Sequence, residues 1–352
     1  MVNAISVDLE DWYHIGGFDS SIIQKNWKEY RPRLEGNVST IINLFKQYNT
    51  QATFFIVGII ARDNPELIRR IVNAGHEVAT HGFSHQRIFD MTPEEFERDL
   101  LQSKDTIEKA SGRKILGYRA PEWSLKKSNI WALDILKKHG FCYDASAVPL
   151  SHLGGRYFNP YPYEIKTKYG TITEFPLSTF RCFWDRIPFS GGLPLRINPY
   201  FHILDCTKRI NRLGYPAIFY LHPWEFDREH IKIDLPINRK FMHYCNLEST
   251  SKKIKLLLER IEFSTIENVL GLKKNEVYKY EYPVKCQKYY NFDYLRSAIK
   301  CSFLIGSIIA LIFFTAFLMK QYSFLLIIIL FTVFYWPWGW LISRINALFR
   351  RN

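Results

Sequence analysis

No Cys-x-x-Cys pair and no zinc-ribbon spacing occurs in the sequence, and the six cysteines, Cys142, Cys182, Cys206, Cys245, Cys286 and Cys301, are scattered singly. That pattern argues against a disulfide framework and reads as ordinary thiols of a reducing compartment. Also lacking is a basic start followed by a long apolar run. Met1 leads almost directly into Ile5-Ser6-Val7-Asp8, so no cleavable signal peptide is expected. Acidic residues are the scarcer charge, 34 against 47 lysines and arginines, for a formal charge of +13. Such an excess attracts phosphate-rich partners or anionic lipid headgroups, yet no basic-aromatic recognition module points to nucleic acid. Charged residues make up 23% and hydrophobic ones 47% of the 352 residues. Wholesale disorder is thereby excluded, and a substantial core can form.

What is present is organised around Thr80-His81-Gly82-Phe83-Ser84-His85. Two histidines four apart on a helical turn share a face, with Cβ atoms about 5–6 Å apart, so both rings can reach one metal ion. The pair alone is a weak signal in a chain with ten histidines. It gains weight from Asp8-Leu9-Glu10-Asp11, an acidic cluster after a strand-like run that could supply an anionic ligand.

Periodicity around these stretches alternates between strand and helix. Strands are expected at 2–8, 52–58, 77–80, 115–118, 141–143 and 217–221, and helices near 39–48, 65–74, 92–110, 128–139 and 251–262, with a last short unit at 263–270. Such alternation argues for a parallel sheet with right-handed crossovers. Chemistry-capable residues sit just after strands, at Asp8, His81, Arg119 and Asp144. This favours a barrel with its site at the C-terminal face over an open sheet. Residues 150–215 are less regular and read as strands and long loops covering the site.

The tail is different material. Cys301–Met319 and Ser323–Ile342 are nearly uncharged apolar runs separated by Lys320-Gln321-Tyr322. Each is long enough to cross a hydrocarbon core about 30 Å thick, so a membrane hairpin is expected. Trp336, Trp338 and Trp340 lie where an aromatic belt belongs. Arg296 and Lys300 precede the hairpin and Arg344, Arg350 and Arg351 follow it, against Lys320 in the turn. The positive-inside rule then puts both ends, and the preceding domain, in the cytoplasm. The expected organisation is a domain over 1–285, a basic juxtamembrane linker over 286–300, the hairpin over 301–342 and a basic tail over 343–352.

Asp8-Leu9-Glu10-Asp11, His81-Gly82-Phe83-Ser84-His85, Arg119-Ala120-Pro121-Glu122-Trp123, Tyr143-Asp144 and Leu221-His222-Pro223 together resemble, in order and approximate spacing, the five motifs of the polysaccharide deacetylase family, the NodB-homology or carbohydrate esterase 4 type. The resemblance covers about residues 1–270. Within the family the chain is most similar to the branch found beside exopolysaccharide gene clusters, sharing Val-Asp-x-Glu-Asp-Trp and the His243-Tyr244-Cys245-Asn246-Leu247 segment. The membrane hairpin lies outside it.

The resemblance implies an α/β fold, a distorted (β/α) barrel, holding one divalent metal, usually zinc, through an acidic residue with His81 and His85. It implies Asp8 as general base, His222 as the acid that protonates the departing amine, and Arg119 as the residue that orients the base. Pro121, Trp123, Asp144 and Trp224 are substrate-side candidates, Trp123 and Trp224 as sugar-stacking groups beside Tyr13 and His14. Core packing would account equally for these aromatics. Glu122, His14 and Glu225 could back the site from behind. The family's usual adjacent aspartates are absent here. Strand alternation places Asp8 and Glu10 on one face and Asp11 opposite, favouring Glu10 as the ligand, with Asp11 open because a strand end need not keep the alternation.

The resulting expectation is a metal-dependent N-deacetylase of an N-acetylated amino-sugar glycan, carried on a polyprenyl lipid at the membrane and associated with a polysaccharide-assembly complex. Two alternatives stand beside it. One is a catalytically inactive, membrane-tethered glycan-binding scaffold, motivated by Glu10 in place of the usual aspartate. The other is a deformylase or another amide hydrolase of the same barrel.

Overall fold

The computed structural model describes residues 1–12, 33–150, 155, 157–182, 185–227, 229 and 236–272. The expected linker, hairpin and tail, with Tyr13 and His14, lie outside these residues. Strand β1 (Asn3–Leu9) is followed by α1 (Leu34–Gln47), β2 (Thr53–Ile56), α2 (Gly58–Asp63), α3 (Pro65–Asn73) and β3 (Glu77–Thr80). Helix α4 (Pro93–Ser111), β4 (Gly117–Tyr118), α5 (Trp131–Lys138) and β5 (Tyr143–Asp144) continue the alternation. Local chemistry sets these boundaries. Thr92 and Glu95 exchange side-chain and backbone hydrogen bonds at the start of α4, Pro93 occupies its first turn, and Gly112 closes it at φ 65°.

The irregular stretch contains more order than its sequence suggests. Strands β6 (Tyr163–Thr167) and β7 (Gly170–Glu174) pair as an antiparallel hairpin, as do β8 (Thr179–Cys182) and β9 (Asp185–Pro188). Helices α6 (Gly192–Ile197) and α7 (Tyr200–Arg212) follow, then β10 (Ile218–Leu221), α8 (Ile237–Tyr244), α9 (Glu248–Leu258), β11 (Phe263–Ser264) and α10 (Ile266–Val269).

The main sheet runs β10-β1-β2-β3-β4-β5-β7-β6, with β11 also beside β1. Every pairing in it is parallel except β6 with β7. Among the described residues no ladder joins β6 to β10, so the expected barrel is incomplete, an α/β half-barrel. Pleating sorts each strand's residues onto two faces. Outward residues such as Val7, Leu9, Phe54 and Val78 pack with Val38, Ile41, Ile68 and Leu100 of the helices. Inward ones form a second core of Ala4, Phe55, Ala79, Tyr143, Ala145, Phe175 and Ile218, closed below by Ile266, Val269 and Leu270. Thr53 and Glu77 are polar inner-face residues at the N-terminal ends of β2 and β3, and toward the C-terminal ends of the strands the inner face is polar again, where it builds the site.

Candidate active site

Alternation carries each functional group into the half-barrel. On β1 the inward series Ala4, Ser6, Asp8 reaches Glu10 just past the strand, where Glu10 N–H donates to the Asp8 carbonyl at 2.8 Å. On β3 the series Glu77, Ala79 continues to His81, and on β10 the series Ile218, Tyr220 continues to His222. Arg119 follows β4.

His81 and His85 each place Nε2 2.9 Å from the same oxygen, Oε1 of Glu10. The segment between the histidines is not the helical turn expected. It is a loop in which Gly82 at φ 75° and His85 at φ 58° are left-handed, and it brings the two rings to a centroid distance of 5.1 Å. Asp99 of α4 pins that loop, accepting Phe83 N–H at 2.7 Å, Ser84 N–H at 3.1 Å and Ser84 Oγ–H at 2.7 Å.

The chemistry of this donor set fits a divalent cation. His81 Nδ1 lies 2.8 Å from the Arg119 carbonyl, to which it can only donate. A neutral ring then turns the Nε2 lone pair toward a carboxylate oxygen, a contact that needs a proton or a cation between its two acceptors. Burial raises the Glu10 pKa, but the His85 charge and the close contacts of both rings outweigh it, and the carboxyl is held well below the usual range. Burial lowers that of His85, and the Glu10 carboxylate overcomes this to give a net rise. Glu10, His81 and His85 bring one ligand atom each within 4.8 Å of one another. These three would hold the ion.

Asp8 stands beside this cluster. Arg119 donates Nη1 to Asp8 Oδ1 at 2.5 Å and to Ser6 Oγ at 2.8 Å, and Nε to the Ala145 carbonyl at 3.1 Å. The guanidinium is 1% exposed and lies 4.0 Å above the Phe55 ring. The other Asp8 oxygen, Oδ2, is 4.0 Å from His222 Nε2. His222 donates Nδ1–H to Glu225 Oε1 at 2.8 Å. Burial disfavours the imidazolium, yet the Glu225 hydrogen bond and the charges of Glu10, Glu225 and Asp8 push its pKa up to about 9. A carboxylate and an imidazole thus flank the cluster.

Other expected residues lie elsewhere. Asp11 is not with the histidines: its Oδ1 accepts Trp12 N–H at 2.8 Å, and burial, reinforced by Asp227 and opposed by that hydrogen bond, brings its pKa to about 6. Asp144 is fully buried and cannot touch a substrate. Its neighbours Tyr143 and Ala145 point inward, so the pleat sends Asp144 to the outer face, opposite Glu174 on β7, where Ser146 Oγ–H donates to it at 2.6 Å. Trp224, 5% exposed, stacks on His222 at 5.1 Å and supports the ring instead of offering a face to a sugar. Pro121 is also buried. Trp123 is half-buried, 5.0 Å from the Tyr220 ring and 5.2 Å from the Arg119 guanidinium, and both it and Glu122 are left-handed at φ 53° and 51°. Strain of this kind concentrates at binding sites. Asp99 and Arg196 carry no signature in a single sequence, whereas Ser6 could have been found as the inward residue two before Asp8.

The fold and this constellation define an α/β half-barrel with a candidate metal-assisted hydrolase site at the C-terminal ends of its strands. Residues 27–143 match the polysaccharide deacetylase family, and residues 145–271 match a domain of unknown function, DUF3473. A peptidoglycan deacetylase of Helicobacter pylori is 40% identical over 112 residues, which are 32% of this chain and 37% of that protein. A chitooligosaccharide deacetylase of Sinorhizobium fredii is 33% identical over 97 residues, 27% of this chain and 42% of that one. The chain thus spans well under half the length of these curated relatives. The crystal structure of a candidate polysaccharide deacetylase from Mycobacterium smegmatis aligns with a TM-score of 0.50 at 20% identity, covering 78% of this chain and 92% of that one, and so shares its fold. Over residues 27–143 the chain is thus similar to polysaccharide deacetylases.

Proposed function

We propose that the chain is a metal-dependent N-deacetylase that hydrolyses the acetamido group of an amino sugar in a glycan or glycan precursor. The observation that carries this reading is the convergence of His81 and His85 on one Glu10 oxygen, with Asp8 and His222 4.0 Å apart beside it. Glu10, His81 and His85 would hold a divalent cation, which would supply Lewis acidity to the amide carbonyl and the attacking water. Asp8 takes the proton of the attacking water, and Arg119 holds that carboxylate toward the substrate. His222 delivers the Nε2 proton to the nitrogen as the C–N bond breaks, so that the amine leaves neutral; without that proton it would leave as a strongly basic anion. Acetate and a free amino sugar result.

Zinc is the cation we expect, because the donor set is two imidazoles and one carboxylate. Placement beside a membrane through the apolar runs at 301–319 and 323–342, with the domain in the cytoplasm, makes a polyprenyl-linked sugar the substrate of choice and an exopolysaccharide-assembly complex the setting. The test is metal content and acetate release from a lipid-linked N-acetylated sugar and from soluble N-acetylated oligosaccharides. Wild type should carry about one metal per chain and prefer the lipid-linked substrate. Asp8→Asn should keep the metal while activity falls by about 100-fold or more, and His81→Ala should lose both. Formate release in place of acetate would make it a deformylase. Preference for soluble oligosaccharides would remove the lipid-linked reading, and absence of both metal and acyl release would remove the enzyme.

A further inference from the structure

His222 and the groups that hold it all belong to residues 145–271, the stretch without an assigned function. Glu225 is 2% exposed. Its Oε1 accepts from His222 Nδ1 at 2.8 Å and from His222 N–H at 3.3 Å, and its Oε2 accepts from Thr250 Oγ at 3.4 Å. Behind Oε2, at 3.6 Å, lies Nε of Arg196, a guanidinium only 1% exposed. Arg196 donates Nη2 to the Met242 carbonyl at 2.7 Å and Nη1 to those of His243 and Cys245 at 2.7 and 2.9 Å. Those carbonyls end α8, where a helix leaves acceptors unfilled and favours a cation. Arg196 Nε has no hydrogen-bond partner among the described residues, and Glu225 is the anion it faces. At the start of α6, the helix that carries Arg196, Gly191 packs directly on Tyr220, two residues before His222: a Cβ there would fall 2.1 Å from the Tyr220 ring.

We propose that residues 145–271 are the acid-positioning half of the active site, in which Arg196, acting through Glu225, sets the tautomer and aim of His222. The proposal rests on the deacetylase reading above. Glu225 sits three residues after His222 on one short turn, Pro223–Phe226, so the pair alone could swing together. Arg196, clamped to α8, fixes the far oxygen. With Nδ1–H held by Glu225, Nε2–H is the ring's one transferable proton. It passes to the leaving nitrogen, which takes the electron pair of the breaking C–N bond, while Nδ1–H stays with Glu225. Glu225 and Arg196 are positioning residues, not catalytic ones, because neither touches the reacting atoms.

The test uses the full chain with metal bound, two substrates and ring nitrogen NMR of ¹⁵N-histidine protein. An N-acetylglucosamine oligomer needs its leaving amine protonated, whereas 4-nitrophenyl acetate releases a phenolate that does not. Glu225→Gln should lower kcat on the amide about 100-fold with little change in KM, and lower ester hydrolysis by less than about tenfold. It should also move the His222 ring signals. Arg196→Lys, which keeps the charge and loses the fork, should do both in weaker form. Equal losses on amide and ester, or His222 signals in both variants that coincide with wild type, would overturn the proposal. If wild type cleaves neither substrate and releases no acetate from the lipid-linked sugar, the deacetylase reading fails, and the ring signals alone decide whether Arg196 and Glu225 position His222.

Discussion

His76 lies against the rings of Phe45 and Phe54, at centroid distances of 5.8 and 5.1 Å, and its Nδ1 accepts Ala52 N–H at 3.2 Å. Burial alone pushes its pKa down to about 4. The sign follows directly. An unfolded histidine protonates near 6.5, the folded one resists until about 4, and between them the unfolded chain binds more protons. Stability from this residue is therefore full above about pH 6.5 and is lost as the pH falls toward 4, by about 3 kcal/mol at the acid end. Asn can present Oδ1 to the same Ala52 N–H without titrating. Unfolding free energies of wild type and His76→Asn, measured by denaturant at several pH values, should diverge across this window, with wild type the steeper; parallel curves would exclude the effect. Subtraction removes the carboxylates common to both.

Helix α4 illustrates how an element far from the chemistry holds it. Three hydrogen bonds to Asp99, together with Ser103 Oγ–H donating to the Gly82 carbonyl at 3.0 Å, keep the loop in the left-handed path that joins His81 to His85. Asp99→Ala should weaken metal affinity by about 10- to 100-fold though the residue touches no ligand, as read by competition with a chelator. Unchanged affinity would mean that the loop holds itself. The element was legible as a helix from Thr92-Pro93-Glu94-Glu95, whereas its grip on the loop was not, because nothing in one sequence says which loop a helix face meets. The same divide runs through the site. Asp8 and Glu10 were legible from strand alternation, His81 from its pairing with His85 and its place after a strand, and His222 from the motif order that the resemblance supplied. Strand period sends Asp144 outward, which that motif order obscured. Helix α7 went unread because its buried face, Ile203, Cys206, Thr207 and Ile210, carries only two large apolar side chains. Hairpin β6–β7 was hidden because β6 has no fully buried residue and so no clean hydrophobic alternation.

At the scale of the whole molecule the question is where this site stands relative to a bilayer. Among the described residues no helix is long and apolar enough to cross a membrane. The two runs that could, 301–319 and 323–342, lie beyond them in the sequence and are joined by Lys320-Gln321-Tyr322. Were both to span, so short a connector would require opposite directions and return both flanks to one side. On that proposal Arg296, Lys300, Arg344, Arg350 and Arg351 would gather on one side against Lys320 on the other, and the cost of moving such charges across a membrane would put the basic side in the cytoplasm. The formal +13 of the chain points the same way, since the cytoplasmic leaflet is the anionic one. A reporter fused after residue 352 should therefore be active only when it reads the cytoplasm, and a cysteine placed at Gln321 should react with an impermeant thiol reagent from the opposite side. A reporter that reads the outer side would reverse the topology and remove the cytoplasmic lipid-linked substrate. A Gln321→Cys label reached from the cytoplasmic side would leave the runs unspanned, and the anchoring would then rest on basic residues and headgroups alone.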